Sequence, residues 1–227
     1  MKINPLPPRP PSREQRQSLP KEVKETVEDA VAEAIEFGAK SPFLKKAGHQ
    51  LYDRFTRPKA DTPELANVGQ LSPTLLRGAQ PTEQGFAALK KQGVQTVINL
   101  RPEENWEEDM VVKQGMKYLY LPVPPVAEPT NEQALKFLSA VTDSQNGKVY
   151  FHCQRGIDRT GAMAGAYRIA VQGWTLDQAA AEMRQFGFKD GFEQDKLDFL
   201  RGFASYWKGL PSAEKATVLH RSVFSPA

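Results

Sequence analysis

Residues 148–170 read KVYFHCQRGIDRTGAMAGAYRIA, and the fold follows from this stretch. An apolar strand ends at His152, seven residues from Cys153 to Arg159 form a loop, and Thr160 starts a helix dense in small residues. A loop wrapped onto a helix N-terminus aims successive backbone N–H groups at one point, and together with the helix dipole those groups bind a phosphate dianion. Gln154, Arg155, Gly156, Ile157 and Asp158 supply that backbone, and Gly156 allows its tight path. Arg159, six positions after Cys153, returns around the loop so that its planar fork can grip two phosphate oxygens. A cysteine facing a helix dipole and a guanidinium favours the thiolate, and a thiolate aimed at phosphorus is a nucleophile.

Working outward, short β-like runs alternate with helices from Asn67 onward. VGQL and TLLR, parted by Ser72-Pro73, can pair as a hairpin. Thr82 to Lys91 is helical and closes at Gly93, TVINL (96–100) is an apolar strand, Trp106 to Lys113 is helical and closes at Gly115, and Lys117 to Leu121 is a strand again. Thr130 with Gln133 forms a capping box that opens the next helix. Val149–His152 is the following strand, and everything after it is expected to be helical. Strands separated by helices of this length imply crossover connections. The expected class is α/β: a mostly parallel, four- to five-stranded central sheet flanked by helices, with an N-terminal helical extension.

The expected domains are a flexible proline-rich tail (1–20), the helical extension (21–60), the main domain (61–210) and a C-terminal tail (211–227). Six prolines among polar residues in the first 20 cannot bury enough surface to offset ordering entropy. The two expected extension helices run from Glu22 to Gly38 and from Pro42, capped by Ser41, to about Phe55.

Composition narrows the function classes. With 227 residues, 40% of them hydrophobic, a single globular domain can fold without staples. One cysteine makes an internal disulfide impossible, and with three scattered histidines (His49, His152, His220) it cannot build a Cys-rich zinc site, so no metal or other cofactor is expected. The net charge of +3 is unevenly placed: residues 61–204 hold 15 Lys/Arg against 18 Asp/Glu, whereas residues 41–60 hold 5 against 1. An acidic middle argues against nucleic-acid binding. No apolar run approaches the ~20 residues of a membrane span. The start lacks the apolar stretch of a secretory leader, so the expected location is cytoplasmic, or periplasmic or secreted if a leader was removed. The protein is expected to be a monomer.

His152-Cys153-(five residues)-Arg159-Thr160-Gly161 resembles the signature of the cysteine-dependent protein tyrosine phosphatase superfamily. RGAQPTEQGFAALKKQGVQTVINLR (77–101) and VQGWTLDQAAAEM (171–183) are similar to its bacterial atypical dual-specificity branch. The resemblance covers roughly Val68 to Trp207. It implies a metal-independent phosphomonoesterase working through a cysteinyl-phosphate intermediate, with a phosphorylated protein or small phosphoester as substrate. It makes Cys153 the nucleophile, Arg159 the phosphate ligand, His152 the residue that orders the loop from behind, and Thr160 a hydroxyl that helps the sulfur leave, a role compatible with capping the helix. Arsenate reductases share the loop but need partner cysteines, which this chain lacks. Low-molecular-weight tyrosine phosphatases carry the loop at their N-terminus, and rhodanese-type sulfurtransferases commonly have a shorter one. A phosphate-binding pseudophosphatase is the non-enzyme alternative, although such proteins typically lose the cysteine or the arginine.

Within the loop only Arg155 adds positive charge. The first reading is therefore phosphotyrosine-type or broad specificity, with an inositol polyphosphate or phosphoinositide as the alternative if Lys45, Lys46, Arg54, Arg57 and Lys59 reach the mouth. Arg77 and Arg101 are expected in structural ion pairs. Many relatives carry an acidic proton donor on the loop before the signature strand. Here that loop, PVPPVAEPT (122–130), offers only Glu128. Asp158, within the signature, is the first choice for the acid, either protonated near substrate or turned away to pair with a cation; Glu128 is the second.

Overall fold

The computed structural model describes residues 64–103, 106–190 and 194–220. The two extension helices expected over 21–60, and the basic run within them, lie outside the described residues.

Strands β1 (Gly69–Ser72), β2 (Leu75–Gly78), β3 (Thr96–Asn99), β4 (Lys117–Tyr120) and β5 (Val149–His152) form one sheet in the order β1-β2-β5-β3-β4. β1 pairs antiparallel with β2, as the hairpin reading required, and the other three pairings are parallel. Helices α1 (Glu83–Lys91), α2 (Glu108–Lys113), α3 (Asn131–Thr142), α4 (Asp158–Gln172), α5 (Leu176–Gln185), α6 (Gln194–Gly209) and α7 (Ser212–Val218) complete the domain.

Side chains alternate across a strand, so each parallel strand feeds two cores. Leu75, Ile98, Val149 and Phe151 face one layer, packed with Phe137 and Leu138 of α3, Met163 and Ala166 of α4, and Leu200 and Phe203 of α6. Leu76, Val97 and Tyr150 face the other, with Phe86 and Leu89 of α1 and Val111 of α2. The near-continuous apolar runs of the strands follow from burial on both faces.

Local signals set the boundaries. Thr82 caps α1 by accepting from the Gly85 N–H, and Thr130 and Gln133 form the reciprocal box at the start of α3. Thr175 and Gln178 form a second such box on α5. Gly173, with φ 70°, ends α4 in the left-handed conformation that favours glycine. The small residues of α4 let it lie in the middle of the helical layer: a Cβ on Gly165 would fall 2.6 Å from Leu200, and one on Gly161 3.2 Å from Met183.

Three boundaries differ from expectation. α4 begins at Asp158, so Asp158 and Arg159 belong to its first turn. The helix expected from Trp106 begins at Glu108. Within 211–227, the segment expected as a tail, Ser212–Val218 is helical; Leu219 beyond it is buried, and the Val218 carbonyl accepts from Thr142 Oγ1 at 3.4 Å.

Candidate active site

β5 lies between β2 and β3, the point where the strand order reverses, and open parallel sheets bind ligands outside the carboxyl ends of strands at such a point. The loop from Cys153 leaves β5 there and enters α4.

Four successive carbonyls of this loop are held by outside donors or the preceding imidazole. The Cys153 carbonyl lies 3.2 Å from His152 Nδ1, and the Gln154 carbonyl accepts from the Gln80 N–H at 3.1 Å. Asn67 Nδ2 donates to the carbonyls of Arg155 and Gly156, both at 3.2 Å, and Arg77 Nη2 donates to Gly156 at 2.6 Å. In a trans peptide the carbonyl and the following N–H point in opposite directions. With the carbonyls of residues 153–156 turned outward, the N–H groups of residues 154–157 face inward. Gly156 is essential to that path: its φ is 71°, and a Cβ there would meet the backbone of Gly78 and Ala79 at 2.5 to 2.6 Å.

Cys153 is buried at 2% exposure, and its N–H donates to Thr160 Oγ1 at 2.9 Å. The Thr160 hydroxyl is thus held against the Cys153 backbone, and the residue that caps α4 is Ile157. Arg159 is gripped by Glu103, Nη1 to Oε2 at 2.8 Å and Nη2 to Oε1 at 2.9 Å. Glu103 also accepts from Arg101 Nε at 3.1 Å. Burial alone would push the Glu103 carboxyl up, but the hydrogen bonds and charge of Arg159, with the charge of Arg101, outweigh it and hold the group below the ordinary carboxylate range.

Behind the loop, His152 Nε2 lies 3.0 Å from Oε1 of the buried Glu107, whose Oε2 accepts from Gln80 Nε2. Gln80 Oε1 accepts from Arg101 Nη1 at 3.2 Å. A continuous chain therefore runs from the Cys153 carbonyl through His152, Glu107, Gln80, Arg101 and Glu103 to Arg159, fixing both ends of the loop to one network.

The expected acids separate. Asp158 pairs with Arg155, Nη2 to Oδ2 at 2.5 Å, the turned-away arrangement of the two the sequence allowed. Glu128 is exposed and makes no hydrogen bond or ion pair among the described residues. Its loop is pinned at two points before it: Gln133 Nε2 donates to the Pro122 carbonyl at 2.7 Å, and Nζ of the buried Lys196 donates to the Ala127 carbonyl at 2.9 Å. Arg101 forms the expected ion pair, with Glu103. Arg77 does not: it bonds the loop carbonyl and lies over the Phe186 ring at 4.0 Å, with no carboxylate in ion-pair range among the described residues.

Sequence reasoning passed over Asn67, Gln80, Glu103 and Glu107. The available signal was RPEENWEED (101–109), an acidic run directly after a strand that ends beside the signature strand.

Comparison with known proteins agrees with this geometry. Dual specificity protein phosphatase TpbA of Pseudomonas aeruginosa is 34% identical over 143 residues, covering 60% of this chain. The chain in turn spans 62% of that relative's length. Inositol diphosphatase DSP3 of Arabidopsis thaliana is 28% identical over 148 residues, covering 61% of this chain and 70% of its own. The crystal structure of P. aeruginosa TpbA in complex with pTyr matches with a TM-score of 0.54 and 27% identity, over 66% of this chain and 100% of that one. The family model described as DSP-PTPase phosphatase fused to NAD+ kinase matches residues 56–202, so the chain belongs to that family, within the cysteine-dependent dual-specificity phosphatases.

Proposed function

We propose that this protein hydrolyses phosphomonoesters through a cysteinyl-phosphate intermediate, without a metal ion. The observation that carries the reading is the set of four outward-held carbonyls, which leaves a nest of N–H groups between Cys153 and the helix that carries Arg159. The Cys153 thiolate attacks phosphorus, the bond to the ester oxygen breaks, and a carboxyl group gives that oxygen a proton. Water then attacks the phosphorus, the P–S bond breaks, and the same carboxylate takes the water's proton; the Thr160 hydroxyl, held against the Cys153 N–H, eases the departure of the sulfur. Arg159 and the N–H groups hold the charge on the phosphoryl oxygens through both steps.

Two carboxylates are poor choices for the proton donor. Glu103 is held ionised by its arginines, and Asp158 is committed to Arg155. Glu128 remains, on the loop where the family carries its acid.

Phosphotyrosine-type substrates fit best, because Asp158 neutralises the one extra cation of the loop and leaves little charge for a polyphosphate. The complex of TpbA with pTyr supports the same choice. The likeness to an inositol diphosphatase supports a second reading, inositol polyphosphates.

Purified protein is offered phosphopeptides, inositol phosphates and phosphoinositides, with phosphate release read by malachite green. Cys153→Ser is expected to abolish release while leaving the fold intact, vanadate to inhibit, and EDTA to have no effect. Turnover by Cys153→Ser, or EDTA inhibition reversed by a divalent ion, overturns the mechanism.

A further inference from the structure

Arg77 is wholly buried, yet its Nε and Nη1 have no hydrogen-bond partner among the described residues. Burial lowers its pKa to about 10, against the opposing charges of Glu182 and Cys153, with Arg168 adding to the lowering and Tyr150 opposing it. Glu182 is already committed to Arg168, which reaches it through Nε at 3.1 Å and also through Nη2. A buried guanidinium in this state is costly, and for filling space alone an apolar side chain of similar length serves better. Its location gives it a use. In the sheet Arg77 pairs with Phe151, two residues before Cys153, and its Nη2 meets the Gly156 carbonyl at 2.6 Å.

Asn67 works at the same place. Its Nδ2 donates to Arg155, Gly156 and, at 3.1 Å, to the Phe186 carbonyl. It holds this position with φ 52°, a conformation that asparagine tolerates better than most residues. The Phe186 ring covers the Arg77 guanidinium, and it can do so because Gly69 has no side chain: a Cβ there would fall 2.3 Å from the ring. Asn67, Gly69, Arg77 and Phe186 thus form a built unit on the carbonyl side of the loop.

We propose that Asn67 and Arg77 are positioning residues of the phosphate site: they hold the Arg155 and Gly156 carbonyls outward, and Arg77 adds a sealed positive charge behind the nest. The N–H groups of Gly156 and Ile157 then face the ligand, and the charge favours a bound phosphoryl group at the nest. This assignment rests on the phosphatase reading above and extends it to residues that never touch substrate.

The test measures the dissociation constant of vanadate by titration calorimetry, beside kcat and KM for p-nitrophenyl phosphate. Arg77→Met keeps the stem and removes the charge and the donors. It is expected to weaken vanadate binding by at least about tenfold and to lower kcat as well as raise KM, with an unchanged circular dichroism spectrum. Arg77→Lys, which retains a charge and a donor, is expected to recover most of the loss. Asn67→Gly keeps the backbone conformation accessible and removes the grip, and is expected to weaken vanadate about threefold or more. A folded Arg77→Met protein that binds vanadate within about twofold of the wild type overturns the proposal, as does a lysine variant no better than methionine. Should Arg77→Met fail to fold, Asn67→Gly decides, and unchanged vanadate binding there overturns it. Because calorimetry needs no turnover, a wild type that binds vanadate yet hydrolyses nothing would sink the phosphatase reading while leaving this comparison intact.

Discussion

Glu103 lies end-on across the guanidinium of Arg159, with each of its oxygens accepting from a different terminal nitrogen, at 2.8 and 2.9 Å. A carboxylate on that edge fixes the plane of the fork, so that a phosphoryl group can take a neighbouring edge through Nε. Two effects of removing it compete. Glu103→Gln relieves repulsion of the incoming anion, which is small at a side chain 34% exposed to water, and it frees the fork to turn, which is the larger loss. The expected result is a fall in kcat/KM of about tenfold, read with p-nitrophenyl phosphate. A rise would mean that repulsion dominates.

The same pair makes stability depend on acid. The folded Glu103 carboxyl lies below its ordinary value of 4.5, so the unfolded chain binds its proton first as pH falls. Its contribution is present above the unfolded value and is lost as pH drops through the folded one. Urea midpoints measured between pH 7 and pH 3 should therefore fall more steeply for the wild type than for Glu103→Gln. Parallel curves would show the pair to be energetically neutral.

Gly156→Ala tests the loop's path. A methyl group would meet the Gly78 carbonyl carbon at 2.5 Å, at a φ that β-carbons disfavour. The backbone must shift, and the N–H groups at the nest shift with it. Loss of vanadate binding together with a destabilisation of about 2 kcal/mol or more is expected, read by calorimetry and urea melts.

The β5–loop–α4 unit and the parallel sheet were legible because their signals are local: short apolar runs, capping side chains, and a cysteine and arginine at fixed spacing. The residues that brace the loop were not. Asn67 bonds carbonyls 88 and 89 positions away, and Glu103 meets Arg159 across 56. Such pairings depend on which strand lies beside β5, which a single sequence does not encode in any short pattern. Arg77 was misjudged for a related reason: an arginine on an apolar strand suggests a carboxylate partner, whereas here the partner is a main-chain carbonyl that only the folded loop creates.

Arg168 and Glu182 join α4 to α5 through a buried ion pair, with the Leu71 carbonyl accepting from Arg168 Nη1 at 3.0 Å. Removing one partner leaves the other charge stranded. Glu182→Ala is expected to cost about 3 kcal/mol in urea unfolding, whereas a paired Arg168→Met, Glu182→Leu replacement should recover most of it. Equal losses in the single and double variants would show that packing, and not the stranded charge, sets the cost.

The proton donor can be identified by leaving group. An alkoxide must be protonated as it departs, whereas nitrophenolate leaves unaided, so loss of the true acid slows an alkyl phosphate far more than p-nitrophenyl phosphate. Glu128 is exposed on a loop anchored at Pro122 and Ala127, with no partner among the described residues to hold its carboxyl elsewhere, whereas Asp158 is tied to Arg155. Glu128→Gln is therefore expected to slow an alkyl phosphate by about a hundredfold or more and nitrophenyl phosphate by only a few-fold. Asp158→Asn removes a brace of the phosphate loop and should slow both substrates alike. The reverse pattern, with leaving-group dependence in Asp158→Asn and an even loss in Glu128→Gln, would return the acid to the signature loop and require the Arg155 pair to open when substrate binds.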